Sequence, residues 1–169
     1  NGVGCGEDHG SGHRHRRPDL LFNLALAEER LGHYERAAEV YRETLAATPD
    51  GDPEIRARLG GVLAATGNLD AARAELEAVL TADPDCIEAL VALGMTELGA
   101  GRMDEAIRHF RACIERQPEC AEAWQQVLES RRLEDPADPD LESVRSLLAR
   151  QDLPLDAQRV IARPEIVPT

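Results

Sequence analysis

Aromatic side chains are scarce in this chain: one Trp, two Tyr and two Phe among 169 residues, 3 % of the whole. A core built around stacked rings is thereby excluded. What remains is Ala, Leu and Val, small and aliphatic side chains suited to close contact between helices. Excess positive charge is missing too. With 19 Lys and Arg against 32 Asp and Glu, the formal net charge is −13, a field that repels a phosphate backbone and excludes nucleic acid as a partner. No apolar run approaches the roughly 18 to 20 residues of a membrane span, and no basic stretch followed by an apolar one opens the chain. A soluble protein without a membrane partner is expected. A starting methionine is also lacking, since the chain opens on Asn1; we expect a processed product or a piece of a longer chain.

Metal and redox motifs are absent. Cys5, Cys86, Cys113 and Cys120 match neither a zinc ribbon nor a Cys-x-x-Cys pair. Cys86 and Cys120 occupy equivalent positions of successive units, and stacked helical units hold such positions roughly 10 Å apart, beyond the ~7 Å Cα limit of a disulfide. Reduced thiols and a cytoplasmic location are expected. Residues 1–17 are rich in Gly, His and Arg and poor in apolar side chains, the composition of a disordered arm. Its His9, His13 and His15, with Cys5 upstream, are soft-metal ligands by type, but no rigid element fixes their geometry. No metal site is assigned. Gly2, Gly4 and Gly6 follow no strand and cradle no phosphate. The acidic run Glu134 to Glu142 lacks the spacing and central glycine of a calcium loop and reads as a solvated connection. His33 and His109 stand in ordinary turn or helix contexts, and no Ser/His/Asp or Cys/His arrangement exists. Neither a cofactor nor catalysis is expected.

What the chain has is repetition. Gly32, Gly67 and Gly101 recur at intervals of 35 and 34 residues, Ala37, Ala72 and Ala106 follow each by five, and Pro49, Pro84 and Pro118 close each unit. Such a period marks a stack of helical hairpins. In the first unit Leu21, Leu24, Ala25 and Glu28 share one helix and Ala37, Tyr41, Thr44 and Leu45 the next, with Gly32 and His33 making the break. The units run over about residues 18–51, 53–86 and 87–120. A degenerate fourth over 121–151 begins with Ala121, Trp124, Val127 and Leu128 but lacks the turn glycine. There Asp138 is placed to cap a helix whose first residue is Pro139, carrying Leu141, Val144, Leu147 and Leu148. Residues 152–169 form a terminal short helix and tail, with Leu155 to Ile161 as the apolar part.

Leu59, Gly60, Gly67, Leu69, Ala72 and Pro84 in the second unit, and Leu93, Gly94, Gly101, Met103, Ala106, Phe110 and Pro118 in the third, make the chain resemble the tetratricopeptide repeat family over about residues 18 to 120. Gly60, Gly94 and the three alanines fall where two helices must approach closely. The departures, Glu28 and Thr44 in the first unit and Arg56 in the second, lead us to expect looser packing there. The resemblance implies an all-α fold, a right-handed superhelical solenoid of antiparallel helix pairs. It also implies that the first helix of each pair lines a concave groove, which puts Phe22, Leu26, Ala57, Arg58, Gly61, Ala64, Ala65, Val91, Met95 and Leu98 on that surface.

This groove is apolar. Chaperone-binding members of the family clamp a carboxylate with lysines and asparagines there, whereas only Arg58 and Asn23 could contribute here, which disfavours a clamp. An amphipathic or extended protein segment suits it better, with the acidic rim selecting basic partners; the chain's own Leu155 to Ile161 segment is the competing occupant. A non-catalytic protein-interaction module is the first expectation. A second comes from Asp138-Pro139-Asp140, Leu147-Leu148-Ala149-Arg150 and Asp152-Leu153-Pro154, which resemble the junction after the repeats of bacterial tetratricopeptide-containing sulfotransferases over about residues 135 to 157. That would make the chain the repeat fragment of such an enzyme, without its nucleotide-binding domain. A third is a self-association scaffold, in which an uncapped solenoid end pairs with a second copy.

Overall fold

The computed structural model describes residues 18–48, 52–130 and 138–150. The expected arm at 1–17 with its histidines and Cys5, the connection at 131–137 and the terminal helix at 152–169 lie outside these residues, as does most of the sulfotransferase-like junction beyond Arg150. All regular structure among the described residues is helical: α1 (Pro18–Arg30), α2 (Tyr34–Ala47), α3 (Pro53–Ala65), α4 (Leu69–Ala82), α5 (Ile87–Gly99), α6 (Met103–Arg116), α7 (Ala121–Glu129) and α8 (Pro139–Leu148). None is long and apolar enough to cross a membrane. Each odd-numbered helix packs on the even one that follows, each even one through α6 on the next odd one, and α3 also lies against α5. The result is the all-α solenoid that the repeat implied.

The first three hairpins turn in the same way. Gly32, Gly67 and Gly101 have φ of 78°, 79° and 74°, a left-handed conformation that costs a glycine little. In each turn the glycine N–H donates three residues back, and the next N–H donates five back: Gly32 to Glu29 and His33 to Glu28, Gly67 to Ala64 and Asn68 to Leu63, Gly101 to Leu98 and Arg102 to Glu97. Those bonds satisfy carbonyls the helix end would otherwise leave bare. At the other ends, the Asp52 carboxylate accepts from Glu54 N–H at 2.8 Å ahead of Pro53. Asp138 does the same for Asp140 at 2.9 Å ahead of Pro139, the cap read from the sequence.

Close helix approach depends on small residues. A Cβ on Gly60 would come within 2.6 Å of Leu76 Cγ, and one on Gly94 within 2.6 Å of the Phe110 ring. Ala37, Ala72 and Ala106 are fully buried in the same seams. At Glu28, Thr44 and Arg56, where looser packing was expected, the structure places polar partners. Thr44 is fully buried, and its hydroxyl donates to Val40 O at 2.7 Å. Glu28 pairs with His33 Nδ1 at 2.8 Å, and Arg56 reaches Glu75 on α4 at 2.6 Å. Each departure from the apolar pattern carries its own polar partner.

Polar ties cross between units. Arg73 on α4 donates two bonds to Glu97 on α5, at 2.6 and 3.0 Å, and Arg102 completes the cluster around that buried carboxylate. Arg111 on α6 makes a two-pronged pair with Asp140 on α8, at 3.2 and 2.8 Å. In the fourth unit Trp124, Leu128, Leu141, Val144 and Leu147 form one apolar cluster, and Trp124 Nε1 donates to Pro118 O at 2.7 Å.

Candidate functional site

The first helices α1, α3 and α5 flank two neighbouring hollows. The larger, about 460 Å³, is lined by Pro53, Glu54, Ala57 and Arg58 from α3, by Glu88 and Ala92 from α5, and by Cys86 at the N-terminal cap of α5. The smaller, about 220 Å³, lies between α1 and α3, with Pro18, Asp19 and Phe22 on one side and Asp52, Glu54 and Ile55 on the other. Glu54 belongs to both.

Arg58 projects toward this surface but is already engaged. Its Nε donates to Glu54 at 3.3 Å, its Nη1 lies 3.9 Å from Glu29, and its guanidinium sits 5.9 Å from the centre of the Phe22 ring. Phe22 in turn meets Tyr41 at 6.2 Å between centroids. The Tyr41 hydroxyl donates to Glu29 at 2.6 Å, and burial together with that carboxylate pushes its pKa up. Two carboxylates therefore face the one groove arginine, and it is not a free anion receptor. At the other rim the Cys86 thiol donates to Glu88 at 3.7 Å; burial, more than the nearby acids, raises its pKa.

Of the residues assigned to the groove from sequence, Ala57 and Arg58 line the larger hollow and Phe22 the smaller. Met95 is exposed, and Gly61 is exposed with nothing within 4 Å of where its Cβ would be. Ala65 is exposed. Leu26 is half-buried; Ala64 packs partly on the first core cluster, and Val91 and Leu98 partly on the third. Pro53, Glu54, Cys86, Glu88 and Ala92 were not among the expected groove residues. The signal that finds them is periodic: Glu54, Glu88 and Glu122 recur every 34 residues, each at the second position of a first helix, and Asp19 holds that place in α1.

Away from the groove, Cys113 and Cys120 lie in one buried cluster. The proximity of the two thiols draws the Cys120 pKa down to about 7 and drives that of Cys113 up. The two cysteines brought together are thus Cys113 and Cys120, not the pair one period apart. Burial lowers the pKa of His109. Among the described residues no group of three or more His, Cys, Asp or Glu could hold a metal ion.

Two tetratricopeptide repeat models match the chain, over residues 25–94 and 87–130. The protein CTR9 homolog of Arabidopsis thaliana is 35 % identical over 80 residues, which is 47 % of this chain but only 7 % of the plant protein's length. Among solved structures, a MamA RS-1 double mutant superposes with a TM-score of 0.66 at 24 % identity, covering 79 % of this chain and 74 % of its own. MamA 41-end from Desulfovibrio magneticus RS-1 gives 0.61 at 23 % identity, covering 86 % and 70 %. The first repeat domain of Spaghetti (RPAP3), bound to the HSP90 peptide SRMEEVD, gives 0.63 at 15 % identity, covering 67 % and 89 %. At these identities the three structures speak for the fold.

Proposed function

Because the chain belongs to the tetratricopeptide repeat family and is thereby a protein-interaction module, we propose that it is a non-catalytic adaptor holding a segment of a partner protein along the groove of α1, α3 and α5. The observation that carries this reading is the 460 Å³ hollow between α3 and α5, in the size range of specific ligand sites. The Spaghetti domain has the same fold and is bound to a peptide containing two glutamates and an aspartate. Here Arg58, the one arginine of the hollow among the described residues, faces Glu54 and Glu29, so an acidic tail finds no free cation among them. An apolar or amphipathic segment is the better match. A pull-down from an extract of the source organism tests this with a Met95→Arg/Gly61→Arg variant, both sites being exposed and outside the core. Loss of captured proteins with unchanged circular dichroism supports groove binding; equal capture removes it.

Self-association has one observation in its favour. Leu20, Leu24 and Leu31 are 60 %, 42 % and 69 % exposed and, with exposed Ala27, fall on one side of α1 at intervals of four, three and four, the spacing of a helix-pairing seam. Light scattering decides: a concentration-dependent dimer that Leu24→Glu dissociates supports pairing through this face, and monomer mass at high concentration ends it.

A further inference from the structure

Resting on that groove reading, we propose that the hollow between α3 and α5 takes the side chain of a lysine or arginine from an extended segment of a partner protein, and that the groove favours segments with basic residues three positions apart. The lining of the hollow is apolar at Pro53, Ala57 and Ala92 and charged at Glu54, Glu88 and Arg58, with Arg58 tied to Glu54 so that Glu88 carries the unmatched negative charge among the described residues. A long aliphatic stem ending in a cation fits that arrangement, because the stem covers the apolar floor while the head stays at the wet, negative edge. A wholly aliphatic side chain would cover the floor and leave Glu88 without a cation; an acidic one would be repelled.

Among the described residues no cation pairs with Glu88. Arg58 holds Glu54 from the next turn of the same helix and leans toward Phe22. Glu88 accepts from the Cys86 thiol at 3.7 Å. The second helices also carry first-turn acids, Glu35 on α2 and Asp70 on α4, which suit the helix dipole. Those two line neither hollow. The spacing follows from the stack. Helices α3 and α5 are in contact, which sets their axes about 8–10 Å apart, and an extended chain advances about 3.3 Å per residue. Three residues therefore carry a ligand from one hollow to the next, one repeat along the stack.

The test is fluorescence anisotropy on the full chain with a labelled peptide of four Lys-Leu-Ser triplets. A peptide of the same composition with contiguous lysines and a Glu-Leu-Ser version serve as comparisons. The triplet peptide is expected to bind, with affinity reduced about tenfold in Glu54→Gln/Glu88→Gln and unchanged in Glu35→Gln/Glu115→Gln, which removes as much charge from second helices. Equal loss in both variants would mean diffuse attraction and overturn the proposal, as would equal binding of the contiguous peptide or preference for the glutamate one. If Met95→Arg/Gly61→Arg abolishes capture of natural partners while Glu54→Gln/Glu88→Gln leaves it intact, the basic-residue inference falls and the groove stands. If neither changes capture, both fall. A tenfold gain in peptide affinity on replacing Arg14, Arg16 and Arg17 with Ser would assign the site to the chain's own arm and overturn the partner reading.

Discussion

Arg73 and Glu97, 24 residues apart in sequence, form a two-pronged pair that joins the second repeat to the third, at 2.6 and 3.0 Å. The Glu97 side chain is 4 % exposed. A carboxylate so far from water is tolerated because Arg102 also meets it, and the neighbouring charge holds the Arg73 pKa above its ordinary value. Removing the carboxylate leaves two guanidinium groups without their main partner. Glu97→Ala is expected to cost about 2–4 kcal/mol, read as a lowered urea midpoint. Arg73→Lys loses the fork geometry and should fall between wild type and Glu97→Ala.

Adjacent glycines should respond in opposite directions. At Gly60 a methyl group would collide with Leu76 at 2.6 Å, so Gly60→Ala is expected to destabilise by about 1–3 kcal/mol. At Gly61 nothing lies within 4 Å, and Gly61→Ala should stabilise by about 0.5–1 kcal/mol through helix propensity. Thermal melts of the two single variants and the double variant check this.

The turn glycines make a separate set. Gly67 has a φ of 79° with open space around it, so Gly67→Ala meets no clash and loses only the left-handed conformation, about 1 kcal/mol. Gly94→Ala, which drives a Cβ into Phe110, should cost more. Denaturant midpoints that reversed this order would contradict the packing described.

The Cys113–Cys120 pair should titrate as a unit. The neighbouring Cys113 thiol lowers the Cys120 pKa from 9.0 to about 7. A group lowered on folding contributes stability that is complete above its unfolded value and disappears as pH falls through its folded one. Between about pH 7 and 9 the wild type should therefore gain stability relative to Cys120→Ser. Above 9 the raised Cys113 opposes the trend. Ultraviolet thiolate absorbance should show one group ionising near neutrality, and Cys113→Val should move that step upward.

The hairpins were legible in the sequence because their signals are local. A glycine at a left-handed turn, an alanine in a seam and a proline at a unit boundary each act within a few residues, and Asp138 with Pro139 announced α8 for the same reason. Glu97 was not legible, since its partner Arg73 is one repeat away and burial of a carboxylate leaves no mark on the pattern. The groove was half legible. Ala57, Arg58 and Phe22 followed from family register, but Glu54 and Glu88 were not singled out. An acidic residue at a helix start is ordinary for dipole reasons, and only the packing of α3 on α5 turns two of them toward one hollow.

Glu54 lines both hollows, and sharing one carboxylate makes neighbouring sites parties to a single equilibrium. A small cation settled in either hollow weakens the attraction of the other, so separate ligands would exclude one another along the groove. A ligand whose backbone joins both positions escapes that antagonism, because its second contact is made at the high effective concentration set by the first. The shared charge thus discriminates by connectivity, favouring one continuous strand over the same groups supplied piecemeal.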